Sequence, residues 1–140
     1  MCCHSSKKMC RDFLDKWEDG KTRTYYKIVT IKDGGKIQTP YRMVEIPNSG
    51  WFKAKGKTIV PILSKKSYSE YEEVVIRRGI HVFKDRREAL KEAYFTYFDR
   101  VIPVRCDKED FIAAGPYDIV FKKVFISDEN FKKANTKRNK

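Results

Sequence analysis

Gly79-Ile80-His81-Val82-Phe83, followed by Lys84-Asp85-Arg86-Arg87-Glu88-Ala89-Leu90-Lys91-Glu92-Ala93-Tyr94, changes its hydrophobic period part-way along. The first five residues are a short apolar run bounded by glycine, which reads as a strand. From Asp85 onward the apolar residues recur at helical spacing, with Ala89, Leu90, Ala93, Tyr94, Tyr97 and Phe98 on one stripe. Arg86, Lys91 and Glu92 fall off that stripe. Asp85 has N-cap chemistry and Glu88 follows three residues later, as in a capping box. A strand feeding one amphipathic helix over 85–97 implies an α+β domain.

Downstream, residues 101–106 read as a strand that places Ile102, Val104 and Cys106 on one face. A helical turn follows at 107–110, Gly115-Pro116 bends the chain, and 118–126 reads as one final strand. Upstream, 74–83 is broken by Arg77-Arg78-Gly79 and reads as two short strands. Residues 22–31 are β-branched and aromatic, and Asp33-Gly34-Gly35 predicts a hairpin with 36–39. Residues 41–46 form another strand, closed by Pro47-Asn48-Ser49-Gly50. Trp51-Phe52 and 58–63 read as a strand pair around a basic turn, with Pro61 pushing the second to an edge. Residues 64–73 read as a loop. Near the start, Met9, Phe13, Leu14 and Trp17 share a helical stripe that Gly20 can end.

The predicted organisation is an N-terminal arm and short helix over 1–20, a single α+β domain over 21–127, and a basic disordered tail over 128–140. Within 1–20 the first eight residues form the mobile arm. The fold expected is a twisted, mostly antiparallel sheet packed against one main helix, with basic flexible ends.

The chain has 140 residues, 41% hydrophobic and 14% aromatic, with a formal charge of +12. That size supports one core and not two. The last ten residues carry five basic and no acidic side chains, yet the body is basic as well. Such a field favours anionic partners: RNA or DNA, a nucleotide, or an acidic host protein. No apolar run is long enough for a secretory leader or a membrane span, so a cytoplasmic protein with reduced thiols is expected.

Cys2, Cys3, His4 and Cys10 are zinc-ligand types, but two cysteines are adjacent and no second C-x-x-C knuckle exists. No metal and no cofactor are therefore expected. His81 is the one histidine inside the domain, flanked by Ile80 and Val82, which suits a packed residue as well as a functional one. No P-loop, G-x-G-x-x-G, H-E-x-x-H or nucleophile elbow is present, and no catalytic residue is assigned.

Basic residues interleaved with aromatics carry the functional expectation. Lys53, Lys55 and Lys57 form one basic loop beside Trp51 and Phe52. Arg77 and Arg78, with Arg86 and Arg87, would bracket the His81 strand and form one positive surface. Lys27 beside Tyr25 and Tyr26, and Arg42 beside Tyr41, are interleaved in the same way, and Tyr26, Tyr41, Arg42 and His81 are further candidates.

With those residues identified, the chain resembles a group of small phage and gut-type bacterial proteins to which no activity is attached. The matching pieces are Met1-Cys2, Tyr25-Tyr26-Lys27-Ile28-Val29, Thr39-Pro40-Tyr41-Arg42 and Gly79-Ile80-His81-Val82-Phe83. The order of strand, G-x-H-x-F strand, helix and V-x-V strand is also similar to the core of small ADP-ribosyltransferases. That resemblance implies Tyr26 near a nicotinamide site and His81 on the next strand, although the first strand lacks the Arg or His of the pattern. The expected function is a small non-enzymatic binding protein of phage type that captures an anionic partner. An NAD-using transferase and a virion or assembly component are the alternatives.

Overall fold

The computed structural model describes residues 3–32, 36–40, 44–55, 61–93 and 99–135. It opens with strand β1 (Cys3–Ser5) and helix α1 (Lys7–Asp15), whose N-cap Ser6 accepts the Met9 amide through its hydroxyl. The long strand β2 (Thr22–Lys32) is followed by β3 (Lys36–Gln38), β4 (Glu45–Ile46) and β5 (Gly50–Lys53). A 3-10 turn at Ile62–Ser64 precedes β6 (Val74–Ile76), β7 (Ile80–Phe83), helix α2 (Arg86–Ala93) and β8 (Asp99–Asp107). A second 3-10 turn, Lys108–Asp110, leads into β9 (Phe111–Ala114), β10 (Asp118–Phe121), β11 (Lys123–Ile126) and helix α3 (Asp128–Asn135).

Among the described residues, nine strands form one sheet in the order β5-β11-β8-β2-β7-β10-β9, with β3 on β2 and β4 on β3. Every pairing in it is antiparallel. β1 and β6 make a separate two-stranded ribbon. The fold is thus α+β, with three helices among the described residues and a large antiparallel sheet.

β2 is the spine because both its faces are apolar. Tyr25 and Val29 enter the main core, while Ile28 meets Phe83 and Ala89 in a smaller cluster under α2, beside Tyr26 and Val101. Helix α1 closes one side of the main core through rings. Phe13 stacks on Phe111 at 5.5 Å, and Trp17 meets Tyr25 edge-on at 6.1 Å and Phe121 at 5.9 Å. Trp17 is buried, and its indole N–H donates to the Lys21 carbonyl at 2.8 Å. Truncating such a residue costs about 3–5 kcal/mol.

The first hairpin, the two short strands around Arg77-Arg78-Gly79, the Ile102/Val104/Cys106 face and the Asp85-capped helix all stand in the structure. Several expectations need correction. Residues 3–5 are not a free arm: Cys3 and Ser5 alternate inward, and the Ser5 hydroxyl donates to the Ala114 carbonyl at 2.6 Å. Residues 128–135 are helical and not disordered. Ser127 caps them by accepting the Asn130 amide, and Ala134 is buried. Asp128 and Glu129 in the first turn and Lys132 and Lys133 in the last also suit the helix dipole.

β5 pairs with β11; of the partner strand expected at 58–63, residues 58–60 lie outside the described residues and Ile62–Ser64 is a 3-10 turn. The single strand expected over 118–126 is two. Lys122 breaks it by donating its amide to the Asp110 carbonyl at 2.7 Å and accepting the Ala54 amide at 2.9 Å. Those bonds send β10 to β7 and β9 but carry β11 to β8 and β5. Of the described part of the strand expected at 41–46, Glu45–Ile46 is strand and Val44 is not. The turn at 33–35, residues 41–43, the stretch 56–60, the end of the main helix at 94–98, and 136–140 lie outside the described residues.

Candidate anion-binding cleft

β2 changes neighbours along its length. It pairs with β7 at Tyr26 and with β3 from Thr30 onward, so Lys27 stands where the sheet forks. An open cleft of about 130 Å³ occupies that fork. Thr39, Pro40 and Val44 of the β3–β4 connection line one side, and Arg77 to His81 line another. The sheet curls enough for its edge strand to reach the same space, because Phe52, Lys53, Ala54 and Lys55 complete the wall.

Two local devices shape the wall. The Thr39 hydroxyl accepts the Val44 amide at 3.0 Å, while the Thr39 amide donates to the Val44 carbonyl at 2.9 Å, pinning the β3–β4 loop. Gly79 sits at φ +102, and a Cβ there would overlap the Val120 side chain and crowd the Phe121 carbonyl. Glycine is required for Arg77-Arg78 to turn into β7 at this height over β10.

The floor is Lys27, only 6% exposed. Its alternation partners on β2, Tyr25 and Val29, are core residues, so the same face carries the ammonium inward. Lys27 has no hydrogen-bonding or ion-pair partner among the described residues, and burial alone lowers its pKa from 10.5 to about 8. Depressing it that far corresponds to about 3 kcal/mol against the charged form. The rim is exposed and also cationic: Lys53, Lys55, Arg77 and Arg78. No carboxylate lines the cleft among the described residues. An uncompensated buried ammonium ringed by further cations is a poor stabilising device and a good anion receptor.

His81 completes the cleft. Its Nε2 donates to the Arg77 carbonyl at 3.3 Å, which is the only role a carbonyl partner permits. That bond ties the ring to the arginine turn and leaves Nδ1 buried without a hydrogen bond, 3.9 Å from Asp118 Oδ2. Asp118 in turn neighbours Cys3, whose thiol is pushed up by burial first and by that carboxylate second.

The structure brings Lys53, Lys55, Arg77, Arg78 and His81 together around one cleft, which Arg86, Arg87 and Tyr26 do not line. Arg86 and Arg87 are exposed at the start of α2, beyond the far end of β7, and do not line the cleft. Strand β7 has the two arginine pairs at its opposite ends, so they bracket it without converging. Tyr26 turns away, to the cluster under α2. It is not among the residues that line this cleft. Lys57, Tyr41 and Arg42 lie outside the described residues, as does Cys2. His4 faces outward to Glu73 at 2.7 Å while Cys3 faces inward, and no group of three potential metal ligands occurs among the described residues.

Lys27 stood among the basic residues interleaved with aromatics, but sequence reasoning did not choose it as a site residue. Its signal was available in Tyr25-Tyr26-Lys27-Ile28-Val29, where alternation places a lysine between two core positions. No family model, no curated protein and no solved structure matches the chain. Among the described residues no helix is long and apolar enough to cross a membrane.

Proposed function

We propose that this chain is a non-enzymatic binding protein that captures a phosphate group, carried by a nucleotide or a nucleic acid, in the cleft over Lys27. The observation that carries this reading is the Lys27 ammonium, buried without a counter-charge beneath four exposed cations. A bound dianion would supply that counter-charge inside a low-dielectric site, where each contact is strongest. Arginine forks at Arg77 and Arg78 fit phosphate oxygens better than isolated carboxylates on an acidic protein. At about 130 Å³ the cleft is below the ~300 Å³ typical of a drug-sized pocket, so it suits a phosphate group and not a whole nucleotide.

The mechanism is electrostatic capture. Lys53, Lys55 and Arg78 draw the anion to the rim, and Lys27 binds the desolvated oxygen at the floor. His81 holds the arginine turn through the Arg77 carbonyl. Calorimetric titration of the full chain with pyrophosphate, with an acidic peptide as the comparison, tests the reading. Saturable pyrophosphate binding that Lys27→Met removes is expected. Equal binding by Lys27→Met, or preference for the peptide, would overturn it.

A further inference from the structure

On the outer face of the sheet, Trp51, Phe125 and Arg105 lie in one straight cross-strand row. Trp51 is in register with Phe125, and Phe125 with Arg105. Phe52, Val124 and Val104 are their buried neighbours, so alternation turns all three row members outward. Trp51 is 40% exposed, unusually open for its size, whereas Trp17 is 2% exposed. The row is an aromatic ledge: the two rings meet edge-on at 5.4 Å.

Cations frame it. The Arg105 guanidinium lies 4.4 Å from the Phe125 ring and 5.5 Å from Trp51, and the Lys123 ammonium lies 4.4 Å from Trp51. The next row along the strands sets Lys53 directly opposite Lys123. Neither these two lysines nor Arg105 has a carboxylate partner within ion-pair distance among the described residues. Asp110, the acid that feels Lys123, is itself buried. Lys53 also lines the cleft, so a single strand, β5, carries the ledge at Trp51 and the cleft wall two residues on.

We infer that the Trp51–Phe125 ledge stacks the bases of single-stranded nucleic acid whose backbone runs over Arg105, Lys123 and Lys53 toward the cleft. The inference rests on the cleft reading for its anchoring phosphate and on the ledge alone for its bases. Charge complementarity selects this occupant. Two opposed lysines and an arginine without acids suit a polyanion, and open rings between them suit a flat base. A duplex hides its base faces, so the ledge favours the single strand.

The chain has two tryptophans, and only Trp51 is open to solvent, so intrinsic fluorescence reports on the ledge. The full chain is titrated with a short oligothymidylate, an abasic strand of equal length, and a duplex of equal length. The oligothymidylate is expected to quench Trp51 and bind about tenfold or more tightly than the abasic strand. Trp51→Ala should erase that difference and leave abasic affinity unchanged, while Trp51→Phe retains most of it. Equal affinity for oligothymidylate and abasic strand, equal affinity for the duplex, or undisturbed Trp51 emission would overturn the inference. If the abasic strand and pyrophosphate still bind through Lys27, only the ledge has failed. If base preference persists without any role for Lys27, only the cleft has failed.

Discussion

Lys53 and Lys123 stand directly opposite each other on β5 and β11, two like charges in cross-strand register. Such a pair weakens a sheet by about 0.2–1 kcal/mol. Replacing Lys123 with Gln should therefore stabilise the ligand-free protein by about that amount at low salt, with the gain shrinking as salt screens the pair. Urea denaturation at two ionic strengths checks this. A loss of stability at both would show that the Lys123–Trp51 contact outweighs the repulsion.

Lys27 separates stability from binding more sharply. Lys27→Met keeps the length of the side chain and removes a buried, uncompensated charge. It should raise unfolding free energy at neutral pH by about 1–3 kcal/mol while abolishing pyrophosphate binding. Denaturation and calorimetry on the same variant give both readings. Destabilisation together with lost binding would make Lys27 a structural residue.

The pH dependence follows from the same group. Between about 8 and the ordinary lysine value of 10.5, the unfolded chain holds a proton that the folded chain releases at Lys27. Stability contributed by this residue therefore rises with pH across that window, and its cost is fully present below it. An anion favours the charged form, so sulfate, which does not titrate there, should bind more weakly as pH climbs past about 8. Calorimetry in buffers of different ionisation heat should detect proton uptake on binding at pH 9. A flat affinity from pH 7 to 10 would remove Lys27 from the site.

Position distinguishes the arginines. Arg78→Glu, on the cleft rim, should weaken pyrophosphate binding at least tenfold. The double reversal Arg86→Glu with Arg87→Glu, at the other end of β7, should change it less than threefold at moderate salt, where charges beyond about 10 Å are screened. Comparable losses in both variants would mean that a diffuse field and not the cleft binds the anion.

Gly79→Ala should destabilise the protein by about 2–4 kcal/mol, because it combines an unfavourable φ with overlap onto Val120. Thermal unfolding measures it. Near-native stability would show that the Arg77–His81 turn can relax, which the shape of the cleft does not allow for.

Local patterning carried much of the fold. Asp85 to Ala89 announces its helix through cap and stripe, Ile102/Val104/Cys106 announces a half-buried strand, and the hairpin around 33–35 follows from its turn residues. The errors arose where the neighbour decides. Cys3 and Ser5 read as part of a loose arm because three residues cannot signal burial until β6 is placed beside them. The break at Lys122 was hidden because both halves of 118–126 are apolar, and the bonds to Asp110 and Ala54 that divide them come from distant segments.

By itself, the sequence determined an α+β chain with a strong positive charge, basic residues at 53–57 and 77–78, and a glycine before a buried strand. Those features depend on period, composition and local turn chemistry, all of which act over a few residues. The tertiary structure alone decided which charges meet. It joined Lys53 and Lys55 to Arg77 and Arg78 across the curl of the sheet, sent Arg86 and Arg87 elsewhere, and set Lys27 beneath them. Convergence of that kind depends on strand order and register, which are fixed by long-range pairing between β2, β7 and β11 and their neighbours, and no short stretch of residues encodes it.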